Sequence, residues 1–251
     1  LNLFAGARYT SHKATAGYGQ NGPVIRRLKE TWNNVSGRAG VRFSPSPDTM
    51  FYASVSRGFK GGIIEIPTAA LAPIAVIEPE EPLAFELGTK LAFFDNNLAV
   101  YASLFHVDHK NFQARRSIFT DAGVVTTVTE NIDIKSKGLE LDAFGDISDN
   151  FRFNLGYTFN IAKYPDGYIG ADGLALAGEQ VAYAPRHKVV FGGEYHSDIG
   201  GGASEFFVNA NIVYKSATRL IERSDQPEYV YPGHFTIGGS IGIRPTKRGW
   251  T

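Results

Sequence analysis

The sequence contains no cysteine, which removes disulfide frameworks, thiolate metal sites and a cysteine nucleophile together. It also lacks a charge bias. Its 25 Lys and Arg balance 25 Asp and Glu, so neither a nucleic-acid-binding surface nor an acidic solvating tail is indicated. Long apolar runs are missing too. The nearest, Ile66 to Ile77, is short and broken by Pro67 and Pro73, whereas a membrane-spanning helix needs about 18 or more apolar residues in succession. The opening LNLFAGARYT has no secretory leader and reads as the middle of a strand. An internal piece of a longer chain would begin in this way.

Strand formers and turn formers are abundant. Aromatic residues make up 13% of the chain and glycines number 28, a mixture suited to strands, turns and close backbone approach. Period-two alternation recurs along the whole length. Leu3, Ala5, Ala7 and Tyr9 oppose Asn2, Gly6 and Arg8, and Phe85, Leu87, Leu91 and Phe93 oppose Glu86, Gly88 and Lys90. Phe151, Phe153, Leu155, Tyr157 and Phe159 likewise oppose Arg152, Asn154, Gly156, Thr158 and Asn160. The runs reach ten residues or more, about twice the usual strand of ~5–6.

The connections between runs are of two kinds. Short turn-rich links fall at 44–48, 95–97, 146–150, 197–204 and 244–249, with a tighter one around 120–123; longer polar segments occupy 11–30, 61–82, 163–184 and 216–233. Short links at one end of a sheet and long ones at the other define an antiparallel up-and-down meander. It comprises ten strands, with an eleventh starting at Trp250. Two architectures accept this pattern. A soluble sandwich buries its apolar faces between two sheets; a transmembrane barrel turns them to lipid. A kelch-type propeller needs four short strands per blade and fits less well. Strands of ~9–11 residues cross a bilayer at ~45° tilt. Aromatics near strand ends (Tyr9, Phe43, Phe51, Phe93, Phe151, Phe159, Phe206, Tyr214) suit interfacial girdles. The membrane barrel is therefore the favoured fold.

Within FYASVSRGFKGG (51–62), strict alternation puts Arg57 on the apolar face with Phe51, Ala53 and Val55. There an arginine costs ~2–4 kcal/mol near the bilayer midplane. A bulge at Ser56–Gly58 that turns it inward is the expected escape; snorkelling to the headgroups is the alternative. Gly58, Gly61 and Gly62 do not form a phosphate loop, because no Gly-Lys-Ser/Thr and no helix follow. His106, Asp108 and His109 make a weak metal candidate, since only the first two share a strand face. Glu78, Glu80 and Glu81, between Pro79 and Pro82, read as a solvated loop rather than a catalytic carboxylate pair. No catalytic residue, metal or cofactor is called for.

The same stretch carries a family resemblance. Tyr52, Ser54, Ser56, Arg57, Gly58, Phe59 and Lys60 stand in YASVSRGFK, which resembles a characteristic strand of TonB-dependent outer-membrane receptors. EPEEPLAFELGTKLAFFDNNLAVYASLF (78–105), containing Glu86, resembles their acidic segment, "YELGxK" strand and following turn; ENIDIKSKGLELDAF (130–144), containing Gly138 and Glu140, resembles their "GxELE" strand. FRFNLGYTFNIAKY and APRHKVVFGGEYH resemble the two strands that follow, so the motifs run in order through nearly the whole chain. GFKGGIIEIPTAA departs from the family's usual continuation, which makes this loop individual.

The resemblance implies that residues 1–251 are part of a transmembrane β-barrel of about 22 strands in the bacterial outer membrane. The family's N-terminal plug and its box for the TonB energy-transducing complex have no counterpart in this sequence. It implies no enzyme but a receptor for energy-coupled uptake of a bulky, scarce solute, most often a ferric siderophore. The alternatives are a passive outer-membrane pore and a soluble carbohydrate-binding β domain. The implied partners are the lipid bilayer with its lipopolysaccharide, the receptor's own plug, the TonB complex and small-molecule cargo. Tyr18, Arg26, Arg27, Tyr168, Arg219, Arg223 and Tyr229, all in the long connections, are candidate contacts for an anionic aromatic chelate. Glu86, Lys90, Glu140, Asp142, Arg152, Glu194 and Lys215 are expected on the wall around the lumen.

The parent protein should stay in solution only with detergent and should migrate in gels differently before and after boiling. A parent that partitions into buffer without detergent would exclude both membrane readings.

Overall fold

The computed structural model describes residues 1–18, 26–66, 74–119, 125–170, 173, 175–220 and 230–246. The strands in chain order are β1 (Asn2–Tyr18), β2 (Arg26–Ser46), β3 (Thr49–Arg57), β4 (Ile63–Glu65), β5 (Ala75–Ile77), β6 (Glu81–Phe93) and β7 (Leu98–Phe119). They continue as β8 (Val125–Ser148), β9 (Phe151–Lys163), β10 (His187–Ile199), β11 (Ser204–Lys215), β12 (Thr218–Arg219), β13 (Val230–Tyr231) and β14 (His234–Pro245). Ten of them form one sheet in the order β1-β2-β3-β6-β7-β8-β9-β10-β11-β14, every neighbouring pair antiparallel. This is the meander of a partial barrel. The two short pairs, β4–β5 and β12–β13, lie inside the long connections. The eleventh strand expected from Trp250 lies outside the described residues.

The two faces differ as the alternation requires. Leu3 is 76% exposed, Leu87 59%, Leu104 57% and Ile237 72%. No second sheet covers them among the described residues, so the sandwich arrangement is absent. Among the described residues, an apolar cluster with buried side chains lies at the end of the sheet that carries the long connections. It gathers Ala114, Ile132, Ile134, Ala162, Tyr164, Tyr168, Leu176 and Val181.

Register assigns each side chain to a face. Glu86 pairs with Ser54 and Phe105, Glu140 with Ser103 and Thr158, and Glu194 with Arg152 and Asn209, all on the polar face. Tyr52 on the same face donates its hydroxyl to Glu86. Ser54 and Ser56 are flanked by Gly40 and Arg38 of β2. At Gly138 two strands approach so closely that an added Cβ would lie 1.9 Å from the Phe159 carbonyl oxygen and 2.6 Å from the Phe105 ring. Only glycine fits there.

Arg57 corrects the bulge expectation. Pairing is unbroken from Gly37–Arg57 to Phe43–Phe51 on one side and from Thr49–Leu91 to Arg57–Leu83 on the other. The ladder even continues beyond β3, with Gly58 N donating to Pro82 O at 2.8 Å. Arg57 therefore stays on the apolar face. A carboxylate on the adjacent strand removes the need for a bulge: Arg57 Nη2 lies 2.9 Å from Glu81 Oε2. The register does shift in β7, between His109 and Phe112 opposite Ile134 and Ile132, as it also does near the short turns at Phe43–Ser46 and Asp146–Ser148. Asn111 adopts φ 55° there, a left-handed conformation that Asn tolerates better than most residues. Its N–H donates to Asp133 at 2.9 Å and its carbonyl accepts from Asn131 Nδ2 at 2.9 Å.

The connections also differ from expectation. Segment 11–30 is largely strand, because β1 and β2 stay paired as far as Tyr18–Arg26. Beyond the apolar band neither face needs apolar side chains, so the alternation fades while the backbone ladder continues. Gly138→Val should cost ~1–3 kcal/mol by overpacking, seen as a lower urea midpoint of the parent's heat-modifiable form. An unchanged midpoint would show that β8 and β9 separate more easily than this contact implies.

Candidate functional site: the loop crown

The long connections build a folded crown around the upper part of the β7–β8 hairpin. β6 reaches only to the Glu81–Lys110 pair, whereas β7 and β8 continue to Phe119–Val125. The projecting ribbon is flanked by the described parts of two connections, 58–66 with 74–80 and 164–170 with 173 and 175–184.

The first connection is fastened through its backbone. His12 and Trp32 stack on the polar face of β1–β2, with ring centroids 5.7 Å apart. Gly61 and Gly62 lie against them; an added Cβ would meet the His12 ring at 2.6 Å or the Trp32 ring at 2.6 Å. His12 Nε2 is 3.1 Å from Gly62 O, and Trp32 Nε1 donates to Glu78 Oε2 at 3.1 Å. From the ribbon, Gln113 Nε2 donates to the carbonyls of Gly61 and Glu78, both at 3.1 Å. Asn131 Oδ1 accepts Glu78 N–H at 2.8 Å, and Glu65 accepts the Thr129 N–H and hydroxyl at 3.0 Å each. The glycines after the arginine thus allow a loop to lie flat on an aromatic pair.

Glu80 is the electrostatic centre of this fastening. Its side chain is 8% exposed, so the solvated-loop reading does not hold for it. Oε1 accepts from Lys60 Nζ at 2.5 Å and from Gln113 N–H at 3.2 Å, and Oε2 lies 2.9 Å from His109 Nε2. Burial by itself would raise its pKa. The hydrogen bonds from Lys60, Gln113 and His109, with the Lys60 charge, overcome that and hold the carboxyl below its ordinary value. His109 is thereby engaged on a different face from His106 and Asp108, which lie 3.5 Å apart. Among the described residues no group of three or more ligating side chains could hold a metal ion.

The second connection has its own core. Tyr164 and Tyr168 stack with centroids 4.6 Å apart, and Leu176 beside them is 1% exposed. Val181 N donates to Ala162 O at 2.8 Å and Tyr164 N to Glu179 O at 3.0 Å. Gln180 Nε2 donates to the carbonyls of Asn160 and Ala184 at 3.1 and 2.9 Å.

The cargo-contact candidates separate accordingly. Tyr168 is 7% exposed and its hydroxyl donates to Glu130 at 3.0 Å, within the small core of this connection. Arg219 has a 13% exposed side chain 3.8 Å from Glu179 and belongs to the crown's scaffold. Arg27 is exposed near the tip of the β1–β2 hairpin, where Tyr18 and Arg26 form the last pair of the ladder. Arg223 and Tyr229 lie outside the described residues. Sequence reasoning missed His12, Trp32, Gln113 and Asn131 as anchors; no local motif marks them, since each acts on a segment distant in the chain.

A sequence model of the family described as "TonB dependent receptor-like, beta-barrel" matches residues 1–251. The chain belongs to this family. Its members are barrels of the Gram-negative outer membrane, and this chain is placed there with them. It is 30% identical over 130 residues to the probable TonB-dependent siderophore receptor PiuA of Acinetobacter baumannii, covering 50% of this chain and 17% of PiuA. It is 24% identical over 168 residues to the metal-pseudopaline receptor CntO of Pseudomonas aeruginosa, covering 66% and 22%. The crystal structure of the ferric yersiniabactin uptake receptor FyuA from Yersinia pestis shares the fold, with TM-score 0.76 and 16% identity, over 96% of this chain and 35% of FyuA. The chain therefore spans roughly a fifth of these curated receptors and about a third of the solved one.

The fastening by Glu80 should depend on pH in one direction. A carboxyl whose folded pKa is lowered contributes stability that is full above the ordinary glutamate value of about 4.3 and fades as pH falls through the folded value. Hydrogen exchange of the 58–66 amides in the parent should therefore accelerate at acid pH, and Glu80→Gln should remove that dependence. A Glu80→Gln variant with the same acid acceleration would assign the effect to another group.

Proposed function

We propose that this chain is the wall and part of the loop crown of an energy-coupled outer-membrane receptor. The receptor takes up a bulky, scarce solute, a ferric siderophore-type iron complex. The observation that carries the reading is the family match over residues 1–251, together with a folded crown at the end of the sheet with the long connections. The names of PiuA and CntO, receptors for a siderophore and for metal-pseudopaline, support the cargo class.

The division of labour follows from the two faces. The apolar face lies against lipid, and the polar face, with Glu86, Glu140, Arg152 and Glu194, lines the lumen and meets a plug carried elsewhere in the receptor. Import needs no covalent chemistry from these residues. Binding energy comes from the crown, and the work comes from the TonB complex acting on the plug. Within the crown, the fastened connections serve as scaffold and the hairpin tips, with Arg27 among their exposed cations, face the cargo.

Cells relying on the parent protein should accumulate radiolabelled iron from a ferric siderophore. Uptake should stop when TonB is deleted, while binding to the cells persists. Solute passage independent of TonB, with steady conductance in planar bilayers, would establish a passive pore instead.

A further inference from the structure

The polar face is divided by charge, and the registers give the division. On β1 and β2 its rows run down from Arg8–Ser36 through Gly6–Arg38 and Phe4–Gly40 to Asn2–Arg42. On β3 the last three continue as Ser56, Ser54 and Tyr52. These rows hold three arginines and no carboxylate. On β6 and β8 the same face carries Glu86, Glu140 and Asp142 instead. Successive same-face residues lie ~6.7 Å apart along a strand, so Arg8, Arg38 and Arg42 mark a line about 20 Å long. The line starts two rows below the stacked His12 and Trp32 that seat the first connection, and it descends toward the short turns.

The arginines of this line are not neutralised. Phe4 lies in the seat left by Gly40, where an added Cβ would meet its ring at 2.5 Å. The Arg38 and Arg42 guanidinium carbons stand 4.9 and 4.8 Å from the centre of that ring. Such contacts position a guanidinium plane and leave its charge and N–H donors available. All three arginines are exposed, and among the described residues none has a carboxylate within ion-pair distance. Two further arginines of this face are tied: Arg152 lies 3.0 Å from Asp146, and Arg244 bonds Glu194 at 2.9 Å and also Glu205. Glu86 stands two strands from β2, where it accepts the Tyr52 hydroxyl. The hydroxyls of Ser36, Ser54 and Ser56 lie between and beside the arginines.

We propose that Arg8, Arg38 and Arg42 form a transit track for an anionic metal chelate, which descends the β1–β3 side of the lumen once the plug has moved. The inference rests on the uptake reading, and adds to it the charge of the cargo and the side of the barrel that it follows. A low-dielectric wall bearing cations in line attracts an anion along its length, whereas Glu86, Glu140 and Asp142 repel it from β6–β8. Each guanidinium offers paired N–H donors to two oxygens of a carboxylate or catecholate. Separate sites let the chelate pass from one to the next instead of being held by all three. A lasting ion pair would occupy a guanidinium as Glu81 occupies Arg57; a passing anion requires that it stay open.

The whole receptor tests this in cells with and without TonB, its fold checked by heat-modifiable migration. The probes are radiolabelled iron as an anionic catecholate chelate and as a neutral hydroxamate chelate. The triple variant Arg8→Gln, Arg38→Gln, Arg42→Gln should bind the catecholate chelate at the cell surface as the native receptor does, since the crown is untouched. It should import that chelate at least about tenfold more slowly, the lower end of what a focused field supplies. The corresponding triple lysine variant should keep most of the rate, and Lys188→Gln on the polar face of β10 should leave it unchanged. Equal import by the glutamine variant and the native receptor overturns the track. Equal loss of binding and import also overturns it, and assigns the arginines to capture. Steady conductance in planar bilayers with potassium chloride, seen for the glutamine variant and not the native receptor, assigns them to seating the plug and overturns it likewise. A native receptor that imports the neutral chelate alone overturns the track and leaves the transport reading standing. The absence of TonB-dependent import of either chelate overturns the transport reading and the track with it.

Discussion

Backbone pairing between neighbouring strands is the constraint on which the rest of this structure depends. Within a bilayer no water is available to satisfy an N–H or C=O, so each strand must find both partners in the sheet. That requirement keeps the ladder unbroken through β3 even where it strands an arginine on the apolar face. Once the ladder is continuous, parity decides which face every side chain occupies. Arg57 is the clearest consequence. A bulge would have rescued one guanidinium by orphaning backbone groups on two flanking strands; Glu81 at 2.9 Å rescues it without that cost.

Above the apolar band the constraint relaxes, because water can satisfy whatever the sheet does not. There the chain uses a second kind of order. The β7 bulge at Asn111 falls where β6 ends and the β7–β8 ribbon continues without that neighbour. Residues 58–65 and 78–80 are tied down by side chains that satisfy their backbone, and Tyr164, Tyr168 and Val181 by a small core around Leu176. Burying a leucine of that kind contributes ~1.5–3 kcal/mol, enough to hold a surface loop in one shape. Under the proposed function this ordering favours binding, since a preordered crown loses less entropy when a ligand is bound.

Alternation made the ten-strand meander and its two faces legible, because period two is the direct imprint of a strand with unlike surroundings on its sides. The short links were legible for the same reason: Pro, Asp, Asn and Gly cluster where the chain must reverse, as in the turn of Phe94, Asp95 and Asn96 with φ of 54°, 53° and 70°. The upper parts of β1 and β2 were not legible, since strands wet on both faces carry no alternating imprint. Nor was the burial of Tyr168 or Glu80. An aromatic in a polar loop and a glutamate among prolines look solvated until the segments that cover them are known.

The sequence by itself determined that this is an all-β chain of long antiparallel strands with one apolar face, because those features follow from residue alternation and turn chemistry at short range. Its ordered motifs also pointed to the receptor family. Only the tertiary structure decided that Arg57 faces the apolar side, that Glu80 fastens the crown, and that Arg8, Arg38 and Arg42 stand in line on the polar face. Each of these depends on which residues of different strands become neighbours. Register, set by hydrogen bonding over the whole sheet, is not encoded in any one stretch.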